Sequence, residues 1–146
     1  MIDRPVVTFE VPGEPVQWKA KGNRANSKGR RTLPPQAKYM EYVGWTARSA
    51  MANIPIITGA VNLCAVFNLG RPKAHYDSKG KIKPDHKFDH HVKVPDLTNF
   101  IKLLEDALSK IIWVDDCQVI SHNGSRKRYV SQGELPGVSI QVFEVK

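Results

Sequence analysis

The sequence predicts an α/β (α+β) fold, a small mixed β-sheet packed with two helices, and three patterns lead to it. Two segments near the ends of the chain alternate apolar and polar residues (Val6–Val11 and Val138–Val145). A run at Ala60–Leu69 is rich in Val, Leu and Phe throughout, and two further segments repeat apolar residues at helical spacing. Strands and helices interspersed in this way bury their apolar surfaces by laying helices on a sheet.

Val6–Val11 ends at Pro12-Gly13, a strand followed by a turn. The next stretch, Lys19-Ala20-Lys21-Gly22-Asn23-Arg24 through Lys28-Gly29-Arg30-Arg31, has too many glycines and charges to pack and reads as a basic loop. Pro34-Pro35 opens a helix from about Gln36 to Ala52, in which Tyr39, Tyr42 or Val43, and Ala47 recur at helical spacing. Asn53 to Pro55 stops it, and Ala60–Leu69 reads as a buried strand. Gly70 to Val94 is the longest irregular stretch, and so long a loop in a compact domain is usually functional or disordered. Helix signals return at Pro95 and run to about Lys110. Val119–Val130 looks like a strand with an irregular middle, and Val138–Val145 closes the chain. The order is β-α-β-loop-α-β-β, with no repeat and no linker, so one domain over residues 1–146 is expected.

A chain of 146 residues can bury a core of its own, and a charged fraction of 25% argues against global disorder. The formal net charge of +8 suits a polyanionic partner, because each neutralised phosphate releases counterions. No apolar run approaches the length a membrane span needs, and Met1–Pro5 carries no basic-then-apolar signal segment. Cys64 and Cys117 lie in apolar runs and read as buried free thiols, which implies a reducing, cytoplasmic setting.

The chemistry-bearing stretch is Pro95-Asp96-Leu97-Thr98-Asn99 through Glu105-Asp106-Ala107-Leu108, followed by Trp113-Val114-Asp115-Asp116-Cys117-Gln118-Val119. At about 100° per residue, Leu97, Phe100, Ile101, Leu104, Ala107, Leu108 and Ile111 form one apolar face. Thr98, Asn99, Lys102, Glu105, Asp106 and Ser109 fall on the other. Each polar residue has an ordinary structural use. Asp96 suits a helix cap, Asp115-Asp116 a turn before a strand, and Lys102 with Asp106 a surface pair one helical turn apart. On a basic chain their combination has a second reading. Carboxylates from a helix start and from the segment leading into a strand can converge on Mg²⁺, which takes such ligands and keeps several waters. A metal held there polarises a phosphodiester and activates water, and a nearby lysine stabilises the developing charge.

The same residues resemble the RusA family of Holliday junction resolvases. That family's pattern is an Asp-x-Asp-Asn motif opening a helix, a lysine four residues after the second Asp, an Asp-Ala-Leu, and a later Asp-Asp-x-Gln-Val. Here these fall on Asp96–Asn99, Lys102, Asp106–Leu108 and Asp115–Val119. Val11-Pro12-Gly13-Glu14-Pro15, Arg71-Pro72-Lys73-Ala74-His75-Tyr76 and His91-Val92-Lys93 also look like phage and prophage members. The resemblance implies a Mg²⁺-dependent endonuclease, with Mn²⁺ as a substitute ion, in the cytoplasm of a bacterium or of a phage-infected one. It further implies a homodimer that nicks a four-way junction symmetrically, since a two-fold protein matches a near-two-fold substrate. Asp96 and Asp116 become metal-binding catalytic acids, Asp115 an auxiliary acid and Lys102 the catalytic lysine.

One position departs from the pattern: the second helix-start Asp is Thr98. In one reading Glu105 supplies the missing carboxylate. It lies in nearly the same stripe, about 10 Å further along the axis, and helical side chains lean back toward the N-terminus. Asp106, nearer the Asn99 side, is the weaker substitute. In the alternative the site is degenerate and the protein binds branched DNA without cutting it. Phosphate contacts are expected from Lys19, Lys21, Arg24, Lys28, Arg30 and Arg31, and from Arg126-Lys127-Arg128. His86, His90 and His91 have no cysteine partners and sit in a loop, which argues against zinc. Trp18 could stack on splayed bases, whereas Trp113 suits core or dimer packing.

Overall fold

The computed structural model describes residues 4–20 and 35–146. Five strands and two helices follow in the order β1 (Val7–Pro12), α1 (Pro35–Met51), β2 (Ala60–Leu69), α2 (Leu97–Leu108), β3 (Val119–Ser121), β4 (Arg126–Tyr129) and β5 (Gly137–Val145). Short 3-10 turns at Lys73–His75 and Pro84–His86 punctuate the stretch before α2, and a third at Asp116–Gln118 precedes β3. The sheet is mixed. β1 pairs antiparallel with β5 and β5 antiparallel with β2, while β3 and β4 both run parallel to the far edge of β2.

Alternation decides which face is covered. Val61, Leu63, Ala65, Phe67 and Leu69 of β2 are buried, together with Val138, Ile140 and Val142 of β5 and Val7, Phe9 and Val11 of β1. Registers Leu63 to Val142 and Ala65 to Ile140 bring these side chains to one face, where both helices join the same core cluster. Phe100, in the first turn of α2, stacks on Phe67 with ring centroids 4.9 Å apart. α1 crosses α2 closely at Gly44, where an added Cβ would stand 3.3 Å from Ile111 Cδ1. Packed against both the sheet and α1, α2 also buries Leu103, which a single apolar stripe does not include.

The expected irregular middle of the last-but-one strand is a break between β3 and β4. Side chains fill the gap in the ladder. Ser125 Oγ accepts from Ala65 N–H at 2.9 Å and donates to the Leu63 carbonyl at 3.0 Å. Asn62 Oδ1 accepts from Asn123 N–H at 2.9 Å and from the Ser121 hydroxyl. Gly124 turns the chain here with φ +89°, and a Cβ would meet Cys64 Sγ at 2.9 Å. The two cysteines are less buried than their apolar neighbours suggested: Cys64 is half-buried on the uncovered side of β2, and Cys117 is exposed in a 3-10 turn. No helix among the described residues is long and apolar enough to cross a membrane.

The 70–94 stretch is irregular, as expected, but tethered. Arg71 Nε donates to the Val130 carbonyl at 2.7 Å, and its Nη1 donates to the His86 carbonyl at 2.6 Å and contacts His75 Nδ1 at 3.3 Å. His75, His91 and Phe88 gather around Tyr129, their ring centroids 5.0, 4.7 and 6.2 Å from its own. Burial, then the charges of His86, Arg71 and Lys93, hold the His75 imidazole below its ordinary range, so it is neutral in the fold and titrates normally once unfolded. The unfolded chain then binds the extra proton, so this contribution to stability is lost as pH falls below about 6.5. Denaturant melts of wild type and His75→Gln between pH 7.5 and 5 test this, with the wild type losing more stability over that range. In the core, Phe100→Ala is expected to cost about 3–5 kcal/mol in the same melts.

Candidate active site

α2 begins one residue after Asp96, which has extended backbone (φ −69°, ψ 144°) at the N-cap position. An Asp at an N-cap ordinarily accepts from the first-turn N–H groups, yet the Asp96 side chain makes no capping hydrogen bond. Its carboxylate is exposed at the helix start.

The Asp115–Gln118 sequence works differently. Asp115 is the N-cap of the 3-10 turn and accepts from Cys117 N–H at 3.4 Å. Gln118 Oε1 accepts from Val114 and Asp115 N–H, each at 2.8 Å, and its Nε2 donates to the Ile57 and Gly59 carbonyls, each at 2.9 Å. The glutamine thus ties the turn to the backbone just before β2, and Asp115 is spent on shaping it. Asp116 is the acid turned toward the cleft, with Oδ1 accepting at 3.2 Å from Nε1 of Trp113, a fully buried core residue.

A cleft of about 350 Å³ opens between α2 and this turn, lined by Thr98, Lys102, Glu105, Asp106, Asp116 and His122. Thr98, Lys102, Glu105 and Asp106 come from the polar face of α2, as its periodicity requires. His122, from the break between β3 and β4, closes the far side and pairs through Nε2 with Glu105 Oε1. The Lys102 ammonium lies 3.5 Å above the centroid of the Trp18 ring, and the Trp18 backbone N–H donates to the Asn99 carbonyl at 3.0 Å. The Trp18 ring face thus carries the ammonium in a cation–π contact.

Of the expected site residues, Lys102, Asp116 and Glu105 share the cleft, whereas Asp96 at the head of α2 is not among its lining residues. Among the described residues no three His, Cys, Asp or Glu side chains form a ready-made metal cluster. The donor set still fits Mg²⁺, which needs only one or two carboxylates and keeps water in its other positions. His122 was not foreseen, since a histidine in a turn carries no local signal of a contact made across the fold.

The basic residues divide. Arg126 and Lys19 are exposed. Arg128 is turned inward, pairing with Glu134 at 2.9 Å and with the Asn68 side chain and Ser131 Oγ, because its strand position faces a carboxylate of the following turn. Lys127 donates to the Lys93 and Pro95 carbonyls at 2.6 and 2.8 Å. Lys21, Arg24, Lys28, Arg30 and Arg31 lie outside the described residues.

The turn geometry gives a stability prediction. Gln118→Leu removes four hydrogen bonds at once and is expected to cost about 2–3 kcal/mol, against about 1 kcal/mol for Asp115→Ala, in urea denaturation. Equal costs would mean that the glutamine does not anchor the turn.

Residues 12–143 match the protein family described as Endodeoxyribonuclease RusA. Among curated proteins the chain is similar to a Bacillus subtilis (strain 168) protein described as "Uncharacterized protein YqaN". The two are 32% identical over 142 residues, which cover 95% of this chain and 96% of the relative.

Proposed function

The chain belongs to the RusA family of endodeoxyribonucleases, and from that premise we propose that it resolves Holliday junctions by paired, symmetric, Mg²⁺-dependent nicks, acting as a homodimer in the cytoplasm. The observation that carries the proposal is the cleft itself. Lys102 and Asp116, at positions of the family's motifs, meet there with Glu105 on a chain of net charge +8.

Asp116, held by the buried Trp113, and Asp96, uncommitted to its own cap, are the acids that would hold Mg²⁺ (or Mn²⁺). Bound there, the ion supplies polarisation of the scissile phosphodiester and a more acidic water. Glu105 lines the same cleft as Thr98, which supports its supplying the carboxylate that Thr98 lacks. Its pairing with His122 orients it, as a carboxylate near a metal is commonly oriented by a further hydrogen bond. Lys102 adds positive charge beside the phosphate as negative charge develops on it. Asp115 contributes through the shape of the turn that carries Asp116. Lys19, Lys21, Arg24, Arg30, Arg31 and Arg126 would contact phosphates and give affinity without reading sequence.

A second reading is favoured by one observation: the acid missing at Thr98, with Glu105 already engaged by His122, leaves fewer free carboxylates for an ion. The protein would then bind branched DNA without cutting it. An end-labelled four-way junction incubated with and without Mg²⁺ separates the two. The expected result is symmetric nicking by wild type that requires the ion and falls at least 100-fold, in order of magnitude, in Asp116→Asn. Tight binding with no nicks from either protein would support the binder, and Thr98→Asp would then be expected to restore cutting. Equal cutting of flaps and junctions would overturn the junction preference.

A further inference from the structure

Lys127 sits at an odd place for a surface cation. In the parallel ladder, Val66 pairs with Arg126, Phe67 with Lys127, Asn68 with Arg128 and Leu69 with Tyr129. Paired residues point to the same face, so Arg126 and Arg128 project from the side bearing Asn68. Lys127 and Tyr129 project to the side bearing the buried Phe67 and Leu69, where Phe67 stacks on Phe100 of α2. The alternation alone therefore carries the Lys127 stem toward the first turn of α2.

Its ammonium ends on backbone. Lys127 Nζ donates to the Lys93 carbonyl at 2.6 Å and to the Pro95 carbonyl at 2.8 Å, and no carboxylate of the described residues forms an ion pair with it. The rest of β4 holds the same segment further upstream. Tyr129 N–H donates to the Asp89 carbonyl at 2.7 Å, and Arg128 bridges to His90. The imidazole of His91, packed on Tyr129, is held below its ordinary range by burial and by the Lys127 charge. β4 thus grips the chain from Asp89 to Pro95, and the last grip is one residue before Asp96. A cation beside a helix N-terminus opposes the helix dipole. A local rule broken in this way marks a position kept for another purpose.

We propose that Lys127 is a positioning residue for Asp96, clamping the two carbonyls that precede it so that the carboxylate is held at the head of α2, and that it is not a phosphate contact. The proposal rests on the reading of Asp96 as a metal-binding acid. Arg126, exposed on the opposite face of the same strand, is the phosphate contact that β4 offers.

The test compares wild type, Lys127→Met, Lys127→Arg, Arg126→Ala and Asp96→Asn on a four-way junction. Binding is measured without divalent ion across a salt series, and cleavage under single turnover with saturating enzyme and Mg²⁺. Lys127→Met is expected to keep the wild-type affinity and salt slope while cutting bound junction about 10- to 100-fold more slowly, the penalty of a misplaced catalytic group. Lys127→Arg, which retains donors on a long stem, recovers part of that loss. Arg126→Ala instead flattens the salt slope by about one. Hydrogen exchange supplies a readout that does not depend on activity: in Lys127→Met the amides of Asp96 to Phe100 exchange faster, while those of β2 and β5 keep their protection and show that the fold is intact.

A Lys127→Met protein whose salt slope falls by about one and which cuts bound junction at the wild-type rate would overturn the proposal in favour of a phosphate contact. So would wild-type cutting with unchanged exchange alongside an inactive Asp96→Asn. Full cutting by Asp96→Asn would overturn the reading of Asp96 itself, and this role for Lys127 with it.

Discussion

The stack of Phe100 on Phe67 locks the first turn of α2 onto the middle of the sheet, and the rest of the site is built outward from that contact. With Phe100, Ile101, Leu103, Leu104, Ala107 and Leu108 buried, the helix has no rotational freedom left. Thr98, Lys102, Glu105 and Asp106 must then line its outer flank, and Asp96 must stand at its head. Burial of a side chain the size of Phe is worth about 1.5–3 kcal/mol, and a helix rotated by one residue would forfeit several such contacts. The position of the polar cleft is therefore a by-product of apolar packing.

Around that helix the chain uses polar side chains as struts between distant backbone segments. Gln118 holds the turn bearing Asp116 to the residues before β2, Lys127 holds the segment bearing Asp96, and Trp18 lies under Lys102 while its backbone is tied to Asn99. None of these struts has to touch a substrate. Each fixes one candidate site residue relative to the sheet from outside the cleft. Glu105 joins the scheme through His122, which brings the break in the edge strand to the far wall of the cleft.

The positive charge is likewise put to two uses. Arg128 is drawn into pairing with Glu134, and Lys127 into the segment before α2, so two of three consecutive basic residues serve the fold. Strand alternation turns Lys127 to the helix-covered side, while Arg126 and Arg128 share the other side, where Glu134 engages Arg128 and leaves Arg126 exposed. Net charge thus counts the cations but says nothing of how many face outward.

The end strands and the amphipathic α2 were legible in the sequence as local repeats of period two or 3.6, and the strand at Ala60–Leu69 as an apolar run, because such local patterns need no partner to be seen. The grouping of Lys102, Glu105 and Asp106 on one flank followed from the same periodicity, and the motif residues identified the family. What the sequence left open was decided by contacts between residues far apart along the chain. Asp115 became a cap while Asp116 faced the cleft, His122 reached Glu105, Trp18 stacked on Lys102, and Lys127 turned inward. These depend on which strands pair and in what register, which the mixed sheet sets through long-range packing. A charged or polar side chain carries no periodic trace of such a partner, so only the tertiary structure could assign it one.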